Sequence, residues 1–202
     1  MKAWKLHSPY VFAAYYIASP CHENAGWMGK RASLAAIGWK LLPVYVGQQV
    51  AGCSPCAKSV LTSAQGETDG SDAVAKIAAE GFGAGTHIYL DVERCDVLPQ
   101  AMKDYAAAWI EKITAAGFGA GLYCHKHNAA DLRAVAPASR FWIAGGVTSQ
   151  FSLATSKPSD SGIAFADVWQ RPAPVSRTFG GVKILVDEDV SATADPAGAI
   201  PT

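Results

Sequence analysis

One short pattern occurs three times along the chain and constrains the fold more than any other feature. A helix-like stretch ends in glycine plus an aromatic residue, and a short β-rich run containing a tyrosine follows. The copies are SLAAIGWKLLPVYVG at 33–47, KIAAEGFGAGTHIYLDVE at 76–93 and KITAAGFGAGLYCH at 112–125. The glycine suits a left-handed helix C-cap, and the aromatic after it can fold back onto the last turn. The run that follows is apolar on both faces, as a strand inside a parallel sheet must be. Gly38, Gly81 and Gly117 lie 43 and 36 residues apart, the length of a βα unit with its loops. Repetition of that unit predicts an α/β fold with parallel strands.

The pattern places strands at 11–18, 41–47, 86–93, 119–125, 140–145, 165–170 and 182–187, with helices at 29–38, 70–81, 99–116 and 127–135. The helix at 99–116 carries Met102, Tyr105, Ala106, Trp109, Ile110 and Ile113 on one face, with Pro99 near its start and Gly117 as its stop. Connections 146–164 and 171–181 are rich in Ser, Pro and Gly and read as loops with at most a short helix. No composition shift divides the chain, so 1–202 reads as one domain. A doubly wound open sheet would carry a Gly-rich phosphate loop after an early strand. Here GFGAG precedes its strands, on the side that makes turns. The expectation is therefore a (β/α)8 TIM-like barrel. Seven strands is one short of that barrel, and Met1–His7 reads as a helix before the first visible strand. The expected first strand is missing from this chain.

Half of the 202 residues are hydrophobic, enough for a sizeable core. Lys plus Arg and Asp plus Glu are both 17, so bulk charge gives no hold on nucleic acid or membrane. No apolar run approaches the roughly 20 residues that span a bilayer. The N-terminal stretch imitates a signal peptide, but Pro9 and two tyrosines interrupt it, and VFAAYYIAS reads better as a buried strand. Five cysteines stand at 21, 53, 56, 95 and 124. The CSPC at 53–56 has the spacing of a redox or half-zinc motif, but no second CxxC follows. All five fall at or after predicted strand ends. One disulfide between neighbouring rim loops is expected, with Cys95–Cys124, or Cys21 to Cys53 or Cys56, as candidates.

LDVE at 90–93 is the sharpest chemical signal. Strand side chains alternate, so Asp91 and Glu93 share a face. They sit at the C-terminal end of their strand, where a barrel forms its active-site mouth. VDEDV at 186–190 adds three acids at the end of the last predicted strand. Parity there is open: Asp187 would face inward together with Lys183, Leu185 and Asp189, and hydrophobicity prefers Glu188. Tyr15, Tyr45, Tyr89, Tyr123, Trp142 and Trp169 lie in or near the last half of six strands, and Gln48, Gln49 and Gln170 follow closely. Aromatic faces with nearby amides suit sugar rings. His125 and His127 share a strand face at the same rim, and Cys21, His22 and Glu23 sit on another rim loop. A metal site is not predicted from them. His87 reads as an interior residue.

With the barrel, LDVE and ADVWQ…GGVKILVDEDV assembled, the chain resembles the glycoside-hydrolase-like TIM-barrel domain family of largely uncharacterised bacterial proteins. The segments that carry the resemblance are GWMGKRASLAAIGWKLLPVYVGQQ, GFGAGTHIYLDVE, GFGAGLYCH and ADVWQ, nearly the whole length. More distantly it is similar to the family 25 lysozymes, whose signature is a DxE strand, a late Trp-Gln and a final strand ending in Asp. LDVE, Trp169–Gln170 and Asp187 match in order, which selects Asp187 over Glu188. Both families begin with a strand whose Asp lies in the active site, and this chain departs from them there.

The resemblance implies a glycoside hydrolase acting on N-acetylhexosamine-containing glycan, most readily peptidoglycan, and an extracellular or cell-wall-directed protein. Glu93, Asp91 and Asp187 would be catalytic, with their carboxyls within roughly 10 Å of one another. Tyr45, Gln48, Tyr123, Trp142, Trp169 and Gln170 would bind substrate. Glu93 has the longer reach into the cleft, so it is assigned the raised pKa and the role of general acid. No cofactor and no metal are implied. The glycan is the partner, with no nucleic acid and no membrane, and the chain is expected to be a monomer. The alternative is a carbohydrate-binding pseudo-enzyme that keeps the cleft without turnover.

Overall fold

A computed structural model describes residues 1–56 and 61–198. The helices are α1 (Lys2–His7), α2 (Arg31–Ala36), α3 (Ser63–Ala79), α4 (Gln100–Ala115) and α5 (Ala129–Val135). The strands are β1 (Phe12–Tyr16), β2 (Lys40–Val46), β3 (His87–Val92), β4 (Gly119–His125), β5 (Arg140–Ala144), β6 (Val168–Gln170), β7 (Val175–Phe179), β8 (Val182–Val186) and β9 (Asp189–Ser191).

The repeated pattern folds as its chemistry requires. In all three copies the glycine adopts positive φ, 93° at Gly38, 78° at Gly81 and 81° at Gly117. The amide of the following aromatic reaches back into the helix, Trp39 to Leu34, Phe82 to Ile77 and Phe118 to Ile113. Those bonds satisfy carbonyls that a helix end otherwise leaves unpaired. Each cap then delivers the chain into β2, β3 or β4. All six β3 residues are buried.

The sheet runs β1-β2-β3-β4-β5-β6-β9. The first six strands are parallel, and β9 is antiparallel to β6. Its outer face packs on the helices through Tyr15, Tyr45, Ile88, Leu90, Leu122 and Phe141 against Trp109, Tyr105 and Ile77. The helices α3 and α4 approach closely because Gly66 carries no side chain: a Cβ there would lie against the Tyr105 carbonyl. The inner face holds a smaller cluster of Leu42, Val44, Tyr89, Trp142 and Val168, with Phe12, Ala14, Tyr16 and Tyr123 beside it. Among the described residues no helix is long and apolar enough to cross a membrane.

This is not the expected (β/α)8 barrel. The seven-stranded sheet curls into a half-barrel and stays open between β1 and β9. The predicted strand at 182–187 exists as β8, but it pairs with β7 in a separate antiparallel hairpin. The seventh place in the sheet goes to three residues further on. Among the described residues no α-helix lies between β5 and β6, where two short 3-10 turns stand at Thr148–Gln150 and Pro158–Ser161. The expected loop at 171–181 contains β7, and α3 begins at Ser63 rather than 70.

Of the expected bridges between rim loops, Cys21–Cys56 forms; the count of one is corrected, because a second bridge, Cys53–Cys95, forms where Cys95–Cys124 was the candidate. Cys124 is free and buried on the helical side of β4, so it does not meet Cys95.

Candidate active site

A cavity of about 810 Å³ runs along the inner face beside the open seam. Asp91 and Glu93 from the end of β3 line it, as do Asp187 from the turn after β8 and Asp189 from the start of β9. Strand register, parallel from β2 to β5 and antiparallel between β6 and β9, builds the wall. Asp91 stands beside Val46 of β2 and Tyr123 of β4, Tyr123 beside Trp142 of β5, and Gln170 beside Asp189. The Tyr123 and Trp142 rings meet edge-on at 5.0 Å, and both face the cavity.

Asp91 is 8 % exposed, and its Oδ1 has no hydrogen-bond partner among the described residues. Burial, helped by the neighbouring Glu93 charge, pushes its pKa up to about 8. Side-chain reach favours Glu93 for the raised pKa; desolvation instead falls on Asp91, while Glu93 is exposed at the mouth. Across the cavity the Trp142 indole N–H donates to Asp189 at 2.8 Å. Burial raises the Asp189 pKa well above the usual carboxylate range; that hydrogen bond opposes the rise, and Asp187 and Glu188 add to it. The Tyr16 phenol is held up by burial and by Asp91, Asp189, Asp187 and Glu93. One hydroxyl thus lies within electrostatic reach of all four acids.

The segment after β3 is pinned on both sides. The Gln49 amide donates to the Asp91 carbonyl at 2.8 Å and accepts from the Glu93 amide at 3.0 Å. Asn128 does the same around Cys95, accepting from its amide at 3.0 Å and donating to its carbonyl at 2.9 Å. The Cys53–Cys95 disulfide ties the same point to the β2 loop. These contacts aim Glu93. Replacing Gln49 by alanine strands a buried carbonyl and an amide, and is expected to cost about 1–3 kcal/mol. Denaturant unfolding measures it, and an unchanged midpoint would show that the clamp carries no stability.

The sequence of this chain matches the profile described as "Rv2525c-like, glycoside hydrolase-like domain" over residues 2–191. The chain belongs to that family. The Rv2525c-like assignment agrees with the resemblance drawn from LDVE and ADVWQ. The fold is similar to that of an uncharacterized B. stearothermophilus protein, with TM-score 0.63, 15 % identity, and 94 % of this chain and 88 % of that one covered. It is also similar to the Mycobacterium tuberculosis Tat-secreted protein Rv2525c in complex with HEPES, with TM-score 0.58, 18 % identity, and coverage of 90 % and 85 %. No curated protein sequence matches the chain significantly.

Within this Rv2525c-like domain the structure brings together Asp91, Glu93, Asp187, Tyr123, Trp142 and Gln170 at one cavity. It does not bring in Tyr45, Gln48 or Trp169. Tyr45 is fully buried toward the helices and donates to Asp72 at 2.9 Å. Gln48 is buried beside Tyr105, whose hydroxyl accepts from its backbone amide at 3.1 Å. Trp169 is fully buried, and its indole donates to the Gly145 carbonyl at 2.7 Å. Glu188 is buried beneath the acids, where it accepts from Tyr10 at 2.6 Å and from Arg177 at 2.8 and 3.0 Å. Sequence reasoning missed Tyr16, Trp27 and Asp189 as site residues, yet they line the cavity. The signal for Tyr16 was the alternation Phe12, Ala14, Tyr16, which puts it on the Asp91 face.

His125 and His127 stand outside the cavity; His127 Nε2 lies 2.8 Å from the Asp96 carbonyl. His87 is interior, with a pKa lowered to about 4 by burial and by Arg140. Among the described residues no three His, Cys, Asp or Glu side chains are grouped to hold a metal ion.

The Asp91 shift has a stability consequence. The folded chain keeps this proton up to about pH 8, whereas an unperturbed aspartate loses it near 3.8. Between those values the folded state binds more protons, so Asp91's stabilising contribution is complete below pH 3.8 and declines as pH rises toward 8. Asp91→Asn should flatten that decline. Urea midpoints of both proteins across this range test it; parallel pH dependence would place the raised pKa elsewhere.

Proposed function

We propose that this domain is a glycoside hydrolase acting on N-acetylhexosamine-containing glycan, with peptidoglycan as the substrate class. The observation that carries the reading is the pairing, in one aromatic-walled cavity, of a buried carboxyl that keeps its proton near neutral pH with exposed carboxyls beside it. Glycosidases need one group to protonate the leaving oxygen and another to meet the positive charge that develops at the sugar carbon. Asp91 holds the proton at rest. Glu93, its exposed neighbour, delivers it to the glycosidic oxygen. Asp187, exposed on the opposite wall, supplies negative charge, and Trp142 fixes the desolvated Asp189 beside it. Tyr123 and Trp142 offer faces on which a sugar ring stacks, and Gln170 offers an amide for its hydroxyls.

The family's description supports a glycosidase-like reading, and the Mycobacterium tuberculosis relative is described as Tat-secreted, which suits an exported glycan target. Two disulfides suit an oxidising compartment. A second reading, a carbohydrate-binding domain without turnover, is favoured by the open seam, which leaves one wall of the cavity unbuilt. Incubation with peptidoglycan and with chitin oligomers separates the two. Hydrolysis predicts new reducing ends and shortened products by mass. Binding with no product at any pH would leave the binding domain, and neither binding nor product would reject both.

A further inference from the structure

We infer that the cavity takes the protonated amine of a de-N-acetylated hexosamine, so that its preferred glycan carries a free amine on one sugar among N-acetylated ones. This rests on the glycan reading above and narrows it. The first observation is how the fold treats its other buried carboxylates. Glu188 accepts from Tyr10 and Arg177, and Asp69 accepts from Gln65 at 2.7 Å and from Tyr105 at 2.6 Å. Asp91 is the exception. It is 8 % exposed, and among the described residues no donor meets its Oδ1. A bare buried acceptor is costly unless a ligand meets it, and Asp91 lines the cavity where a ligand would sit.

The second observation does not involve an acid. Gln170 lines the same cavity, and its Oε1 is buried and equally bare. The tyrosines divide in the same way. Tyr10, Tyr15, Tyr45, Tyr89 and Tyr105 each donate their hydroxyl to a protein acceptor. Among the described residues Tyr16 and Tyr123, which line the cavity beside Asp91, bond to no protein group. Glu93 and Asp187 stand exposed there, and no Lys, Arg or His side chain lines the cavity among the described residues. The site thus holds more acceptors than its own donors fill.

An ammonium supplies what is lacking, with three N–H donors, a positive charge and no acceptor. Its bonds to carboxylates are charge-assisted, and the ring faces of Tyr123 and Trp142 attract a cation. An acetamide in the same place offers one N–H and no charge. A metal ion does not fit, because among the described residues no three His, Cys, Asp or Glu side chains group to hold one.

The incoming charge also acts on Asp91. The groups that face it are Glu93 on its own strand, Tyr16 on β1, Tyr123 on β4, and Asp187 and Asp189 opposite. β2 places Val46 beside it, and Cys124 on the far face of β4 stays a thiol. None of these favours its ionised form. An ammonium does, so Asp91 gives the proton it holds at neutral pH to the buffer as the amine binds.

The probes are glucosamine oligomers and N-acetylglucosamine oligomers of equal length, titrated calorimetrically at neutral pH in two buffers of different ionisation enthalpy. The expected result is that the amine oligomer binds roughly tenfold more tightly or better and alone releases a proton. Asp91→Asn removes no protein hydrogen bond from Oδ1, and it should abolish the proton release and most of the preference. Glu93→Gln, at the exposed mouth, should weaken the preference as well, and it serves if Asp91→Asn does not fold. Equal binding of the two oligomers would overturn the inference and leave the hydrolase reading standing on its reducing-end assay. A preference that survives in both variants would also overturn it, because the amine would then be held elsewhere. A preference for the amine oligomer with proton release, in a protein that cleaves neither, would uphold the inference and remove the hydrolase. Binding of neither oligomer would overturn it.

Discussion

Glu93→Gln is expected to reduce glycan cleavage by roughly a hundred- to ten-thousand-fold, the range over which a positioned proton donor contributes. Glutamine keeps the shape and can still hydrogen-bond a sugar, but it cannot deliver an acid proton. The Glu93 side chain is exposed at the cavity mouth, and its backbone amide is held by Gln49. Folding should therefore be unaffected, and binding to chitin oligomers should persist. Reducing-end release measures the loss. A variant that cleaves as fast as wild type would remove Glu93 from the reaction. Asp91→Asn gives a different signature: it should alter the pH profile as well as the rate, because it deletes the group that titrates near 8.

The second large effect concerns the rim. Cys53–Cys95 and Cys21–Cys56 close loops of 42 and 35 residues of separation and tie the loops after β1, β2 and β3 to one another. Loops of that length predict about 4 kcal/mol for each bridge on the chain-entropy view. Cys53→Ser with Cys95→Ser should lower stability by about that amount and loosen the turn that carries Glu93. Calorimetry with and without reductant reads the first effect, and exchange at the Glu93 and Cys95 amides reads the second. If the double variant melts with the wild type, the bridge carries no stability.

What was legible in the sequence was local. The three Gly-aromatic caps declare themselves within a few residues, so β2, β3 and β4 and the ends of their preceding helices fall where the pattern puts them. The DxE parity needed only strand alternation. Alternation also separates Tyr45 and Trp169 from the site: Val44 and Val46 flank Tyr45, and Val168 and Gln170 flank Trp169, so both aromatics turn to the outer face once their neighbours face inward, Tyr45 toward the helices and Trp169 toward Phe151 and Gly145 in the β5–β6 connection. Treating every strand-end aromatic as a rim residue ignored that period.

Non-local pairing was not legible. The three residues of β9 are too few to show a period, and their antiparallel place beside β6 depends on the hairpin that precedes them. The mixed β7 run, VSRTF, hides its role because Arg177 turns to Glu188, a pair formed across a turn. A count of strands suggests a barrel, but it does not say whether the first and last edges meet. The disulfides depend on which loops the strand order brings together. Any four cysteines allow three pairings, and spacing along the chain does not choose among them.

The proposed chemistry depends above all on Asp91 holding a proton beside Glu93 at neutral pH, and the carboxyl-carbon NMR titration of Asp91 tests this most directly. The expected midpoint is near pH 8, moving down in Glu93→Gln because one neighbouring negative charge is gone. A midpoint near 3.8, the ordinary aspartate value, would contradict it, because the cavity would then have no proton resting on Asp91 to donate.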